Sequence, residues 1–297
     1  RLALPRVPAR RLWASDSPLA QSHAPFHLPA SGRATPSLRV GRLIVLALVL
    51  TALLAPWLAP FAPDQIGAGP RLAAPSPAHP FGTDALGRDL LSRVIYGSRA
   101  ALILAAIGVG VAACLGVCLG LAAGFFGGWV DRVLSRGMEV WLAFPGLLLA
   151  VILVARLGPS LTNAAPALGI AGAPGFFRLA RAETLCAKAG QYVESARALG
   201  ASSHRIVFRH ILPNILPSLI ALATLRAGTM ILAGGGLSFV GLGAQPPAAE
   251  WGALLAQGRD VMAEAPWLAL FPGLAMMVTV IGLNLLGDGL RDWMDAR

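Results

Sequence analysis

The sequence predicts an all-α membrane protein, a bundle of six transmembrane helices. Three observations lead there. The 297 residues are 56% hydrophobic and only 13% charged, with a mean hydropathy of +0.68, whereas soluble domains run nearer a quarter charged. Six apolar runs approach the roughly 20 residues that a helix needs to cross a hydrocarbon core. The runs are also too long, and too free of alternation, for barrel strands.

Residues 1–42 are rich in Pro, Ala, Ser and Arg and lack an apolar period, so a disordered cytoplasmic tail is expected. The first span is residues 43–60. Pro56, Trp57 and Pro60 follow its apolar run where a signal peptide would carry an Ala-x-Ala cleavage site, so an uncleaved first helix is expected. Residues 61–99 form the next loop. In it Thr83 or Asp84 is placed to cap a helix with Leu86, Leu90, Val94 and Ile95 on one side and Arg88, Asp89 and Arg93 on the other, ended by Gly97. That pattern predicts an amphipathic helix on the membrane surface.

A five-helix core is expected over residues 100–290. Span two, 100–126, carries Gly108, Ala112, Gly116, Gly120 and Gly124 at four-residue spacing, a flat ridge for close helix packing that would suit a second membrane subunit. Cys114 and Cys118 lie one turn apart there. With Cys186 they read as small core residues or free thiols, since no Cys/His spacing suggests zinc. Span three is 138–157. Span four, 161–177, is short and broken by Pro166 and Pro174, which a buried bundle helix tolerates. Span five, 215–242, contains Arg226. A charge there faces either a pathway, where it meets a substrate carboxylate, or a helix-end carbonyl. Span six, 267–286, carries Asn284, with Asp288 just beyond, and residues 291–297 form a second tail.

The arginines orient the bundle. Arg1, Arg6, Arg10, Arg11, Arg33, Arg39 and Arg42 precede the first span against a single Asp16. Arg178, Arg181, Lys188, Arg197, Arg205 and Arg209 lie between spans four and five against Glu183 and Glu194. The loop between spans five and six holds Glu250, Asp260 and Glu264 against Arg259. Positive-inside bias puts both termini and the basic loop in the cytoplasm, and residues 61–99 outside.

The formal charge of +10 is nearly all arginine, with Lys188 the only lysine. No aromatic-interleaved basic groove accompanies it, so nucleic acid is not an expected partner. Gly234, Gly235 and Gly236 make no phosphate loop, because no Gly-Lys-Ser/Thr follows. A stand-alone intramembrane enzyme is the remote alternative; the spans lack paired catalytic carboxylates, a zincin helix and a nucleophile elbow.

The most informative stretch is residues 192–217, YVESARALGASSHRIVFRHILPNILP. A short helix over 192–199, a break at Gly200, and a second helical run ending near Pro213 are expected, with Ser202 or Ser203 as the second cap. Glu194-Ser195-Ala196, Gly200 and Leu212-Pro213 resemble the EAA loop of ABC-importer permeases. The block at 79–99, the FFGGW of residues 125–129 with Asp131, Phe144-Pro145-Gly146, the GLGAQPPAAEWG of residues 241–252 and the closing NLLGDGLRD are similar to the dipeptide/oligopeptide (and nickel) branch, in its C-type subunit. The likeness covers roughly residues 43–292.

This resemblance implies a six-helix bundle of the type I ABC importer kind with cytoplasmic coupling helices, in the bacterial inner (plasma) membrane. It implies that Tyr192, Glu194, Ser195, Ala196, Leu199, Gly200, Ala201, Leu212 and Pro213, within a coupling loop over 190–213, dock an ATPase. The implied partners are a homologous permease subunit, two ATP-binding subunits, an extracytoplasmic substrate-binding protein and membrane lipid. ATP and Mg would sit on the partner subunits, and this chain would bind no cofactor or metal and catalyse nothing. The substrates implied are dipeptides or oligopeptides, with nickel or glutathione as the alternative. Two positions depart from the family pattern: Ser195 replaces an alanine, and His210 replaces an aliphatic residue.

Overall fold

The computed structural model describes residues 36–295; of the tail expected over 1–42, residues 1–35 lie outside them and 36–42 are helical, as are 291–295 of the tail expected over 291–297. The first apolar run is embedded in α1 (Pro36–Leu53), which begins seven residues before 43. Pro56 forces a new start, and the single turn α2 (Ala55–Leu58) follows. Helix α1 lies along the last helix, α11 (Trp267–Asp295), because glycines on both sides let the backbones meet. A Cβ at Gly41 would strike the Leu286 backbone, and one at Gly282 would strike Ile44.

The surface helix expected over 79–99 is not there. Residues 79–89 are irregular and 90–99 open the next long helix, and Asp84, Arg88, Asp89 and Arg93 are buried. Asp84 accepts from the Leu86 and Arg88 amides at 2.8 and 3.0 Å and from Arg88 Nε at 2.6 Å. Asp89 caps the next helix instead of Thr83 or Asp84, accepting from the Ser92 amide (2.8 Å) and hydroxyl (2.7 Å), while its other oxygen meets His79 Nδ1 at 2.9 Å. Arg88 and Asp89, which would have faced water in an amphipathic helix, are here paired and buried, as burial demands, while among the described residues buried Arg93 donates only through Nη1, to the Pro63 carbonyl at 3.0 Å.

Helix α3 (Leu90–Phe126) runs 37 residues without a break, about 55 Å at 1.5 Å per residue. Gly97 does not end it. The missing side chain makes room for the Trp251 ring, whose Nε1 donates to the Val94 carbonyl at 2.9 Å. Gly127 and Gly128, with φ of +66° and +56°, turn the chain into α4 (Gly128–Ala143). The expected third span is broken. Phe144 is extended before Pro145, and α5 (Gly146–Leu157) leaves α4 at 84°.

Helix α6 (Leu161–Lys188) is also longer than expected. It passes through Pro166 and Pro174 and continues eleven residues beyond 177. The α7 helix (Gln191–Ala198) and α8 (Ser203–Ile206) follow. The chain does not stop at Pro213. A π-helical turn, Val207–Ile211, in which the Leu212 amide donates to the Val207 carbonyl, carries α8 into α9 (Leu212–Phe239). The widened turn lets a proline that lacks an N–H enter a continuous helix. Helix α10 (Trp251–Arg259) then folds back against α9 and α11, with a close Gly235–Gly252 backbone contact to α9, while Phe81 stacks on Phe271 of α11 with ring centres 4.0 Å apart.

Among the described residues, α1, α3, Ser203–Phe239 and Trp267–Met294 are long and apolar enough to cross a membrane; the bent α4–α5 pair makes a fifth if counted as one. Helix α6 is long enough but carries Arg178, Arg181, Glu183 and Lys188 in its C-terminal half. It is the centre of the bundle. Gly116, Gly120 and Gly124 of α3 lie on it so closely that a Cβ at each would collide with Ala173–Phe177, Phe177–Arg181 and Thr184 respectively. The ridge expected to meet a second subunit is therefore used within the chain.

Candidate functional site

The loop over 190–213 is built by local rules. Val193 and Ala196, three residues apart, bury one face of α7 against Ile206, Ile211 and the end of the bundle core. Ala196 is buried in the chain's own packing. The α7 helix ends in a Schellman arrangement, with the Gly200 amide bonded to the Arg197 carbonyl (2.9 Å) and the Ala201 amide to the Ala196 carbonyl (3.0 Å). That motif needs a left-handed residue, and Gly200 supplies φ +78° with nothing near its Cβ position. Ser202, the nearer of the two expected caps, accepts from the Arg205 amide at 3.4 Å. Leu212 is half-buried and Pro213 exposed at the start of α9; His210 is half-buried on the π turn, its carbonyl taking the Asn214 amide at 2.9 Å.

The outer face of α7 presents Tyr192, Glu194, Ser195 and Leu199 to solvent. Leu199 is 88% exposed, the highest value among the large apolar side chains described. An isolated exposed leucine is ordinary, but this one stands at the apex of a polar loop beside a tightly determined turn.

Beneath α7 lies a basic and aromatic cluster that the residue pattern did not announce. Lys188 Nζ donates to the Phe125 carbonyl at 2.5 Å, and Lys188 and Arg197 sit 5.7 and 5.8 Å from the Phe125 ring centre. Arg181 forks onto Asp131, Nε to Oδ1 and Nη2 to Oδ2 at 2.6 Å. The partners are separated by 50 or more positions, and in the sequence Arg181 and Lys188 carried only a topological signal.

Arg226 is half-buried on α9, with its guanidinium against Gly175 of α6, where a Cβ would lie 2.9 Å from Nη2. Among the described residues it donates to no helix-end carbonyl and meets no carboxylate, so one of its two expected roles has no support in the geometry. Cys114, Cys118 and Cys186 are free thiols exposed on helix surfaces, the second of the two expected readings and not the core one.

At the opposite end, Glu250 is buried and caps α10 by accepting from the Ala253 amide at 2.9 Å. Burial raises its pKa above the ordinary carboxylate value, with the hydrogen bonds from Gly252, Ser238 and Ala253 pulling the other way.

Residues 116–297 match the family of binding-protein-dependent transport system inner membrane components. The chain is 43% identical, over 87% of its length and 85% of the relative's, to a dipeptide transport system permease protein of Alkalihalophilus pseudofirmus. It is 46% identical, over 86% of its length and 84% of the relative's, to a glutathione transport system permease protein of Escherichia coli. In fold it is similar to a chain of the MetNI methionine ABC transporter in an inward-facing conformation, with a TM-score of 0.57, 20% identity, and coverage of 70% of this chain and 98% of that one. The bundle is thus similar in fold to a known transporter component, and this chain belongs to the binding-protein-dependent inner membrane component family, as a permease subunit of an ABC importer.

Proposed function

We propose that this chain forms half of an importer pathway for short peptides, dipeptides or oligopeptides, and that its 190–213 loop docks an ATPase subunit. The observation that carries the docking reading is Leu199, an apolar side chain 88% exposed beside a turn fixed by the Gly200 and Ala201 amides bonding back to Arg197 and Ala196. In the proposed assembly a homologous permease completes the pathway, two ATP-binding subunits hold the ATP and Mg, and an extracytoplasmic binding protein delivers substrate. The chain itself binds no nucleotide, cofactor or metal and catalyses no reaction. Both termini and α7 are cytoplasmic, as the arginine asymmetry supports.

ATP-driven closure of the ATPases displaces α7, tilting the attached helices toward an outward-facing state, and nucleotide release resets them. This is alternating access by a shift between two populated states. Arg226, with no partner on its guanidinium, is the residue proposed to line the pathway and meet a substrate carboxylate.

The peptide reading is supported by the dipeptide name of one relative, and the glutathione name of another favours glutathione, itself a short peptide, as the second reading. The test is purification of the tagged chain from native membranes, identification of its companions, and uptake of labelled dipeptide and labelled glutathione by the reconstituted assembly. Recovery of a second permease and ATP-binding subunits with ATP-dependent dipeptide uptake is expected. Recovery of the chain alone, under conditions that keep a known importer intact, would overturn the assembly; uptake of neither peptide would overturn the substrate class.

A further inference from the structure

We propose that the Asp131–Arg181 pair is the tie through which movement of the docking loop reaches the bent α4–α5 pair, making these two side chains positioning residues for transport. The inference rests on the docking reading of α7.

The argument starts from what holds α4 in place. It joins α3 through Gly127 and Gly128, which have left-handed φ values and open space at both Cβ positions. The glycines make the turn accessible, and no side chain or distant backbone lies where a Cβ at either would sit. The direction of α4 is therefore set by contacts beyond the turn. The first is Asp131, on the first turn of α4, gripped by both nitrogens of the Arg181 fork. A two-point charge-assisted contact fixes orientation as well as distance, which a single hydrogen bond does not. A small apolar contact of Leu134, Met138 and Trp141 with Leu119, Ala123 and Phe177 follows further along.

Arg181 is itself part of the body that carries α7. It lies two turns before Lys188, and α7 starts at Gln191. The glycine ridge of α3 presses on this half of α6, and Lys188 and Arg197 grip Phe125 at the end of α3. The end of α3, the C-terminal half of α6 and α7 are thereby locked together, while α4 beyond the open turn is attached to them by the ion pair and by the apolar contact of Leu134, Met138 and Trp141, the ion pair being the polar, orientation-fixing part. A pull on α7 is delivered to α4 at Asp131 and passes to the 84° elbow at Phe144 and Pro145.

The test uses the complete importer in lipid vesicles and reads substrate imported per ATP hydrolysed. Asp131→Asn and Arg181→Gln are each expected to lower this ratio about tenfold while ATP hydrolysis continues, as expected for loss of a charge-assisted contact. The exchanged pair, Asp131→Arg with Arg181→Asp, is expected to recover much of it. A wild-type ratio in both single variants overturns the proposal. So does an exchanged pair that regains thermal stability but not import, which marks the contact as structural only. Should the single variants fail to assemble, Arg181→Lys keeps the charge without the fork, and an unchanged ratio there also overturns the tie. Failure of the wild-type importer to couple uptake to ATP would instead overturn the docking reading itself.

Discussion

Glu250 shows how one buried residue ties folding to pH. Its carboxylate caps α10 from a site with 4% exposure, and burial holds its pKa above the value of the unfolded chain. The sign follows. The folded state binds the extra proton, so the contribution of Glu250 is complete below the ordinary carboxylate pKa and is lost as pH rises through the raised value. Glu250→Gln is expected to flatten this alkaline loss in a thermal melt of the purified protein. Glu250→Ala should remove the cap and cost about 1 kcal/mol, most at the low-pH end where the contribution of Glu250 is complete. A melt whose pH dependence is the same in Glu250→Gln as in the wild type would show that this carboxyl does not titrate in that window.

Gly200 acts at the same scale but on function. Its φ of +78° is required by the turn that ends α7, and a Cβ there meets nothing. Gly200→Asp therefore spares the bundle, costs roughly 1–2 kcal/mol in local backbone energy, and places a charge beside Leu199. Membrane insertion is expected to stay normal while uptake falls at least about tenfold, taking docking as a desolvated contact. Uptake at the wild-type rate would count against the coupling assignment.

At the scale of elements, the decisive contact is α3 on α6. Gly120 sits where a Cβ would be 2.7 Å from the Phe177 carbonyl oxygen and 2.8 Å from the Ala180 Cβ. Neither can move without shifting helix backbone, so Gly120→Leu is expected to destabilise by at least the roughly 1–3 kcal/mol of ordinary overpacking. Solvent-exposed Gly137 on α4, with nothing near its Cβ, is the matching control. Equal melts of the two leucine variants would remove the ridge from the account.

The helices themselves were legible from apolar length, but their ends were not, because hydropathy marks where lipid is and not where helix stops. Helix α3 starts at Asp89's cap, before the lipid-facing stretch, and α6 runs on past Arg178 and Arg181 into water. Pro145 was visible, yet only the structure shows it bending a span where Pro166 and Pro174 do not. Residues 79–99 misled for a different reason. Their amphipathic spacing is real, but the polar side belongs to charges that pair across the fold, such as Arg88 with Asp84 and Gln257.

At the scale of the whole molecule, the docking loop was legible because its signal is local: a helix, a left-handed glycine, a cap and a proline within one stretch. The contacts that attach it to the bundle were illegible because they join residues far apart, Phe125 with Lys188 and Asp131 with Arg181. The division has a mechanical meaning. Local rules make the loop stiff, and distant pairs make its stiffness useful to the membrane helices.

The most direct test of the account replaces Leu199 with a photoreactive amino acid in cells that carry the whole importer, followed by illumination and identification of the adduct. The account predicts a cross-link to an ATP-binding subunit, lost when Gly200→Asp is added. An adduct to lipid or to no protein, in an importer that still purifies with its ATP-binding subunits, would contradict it.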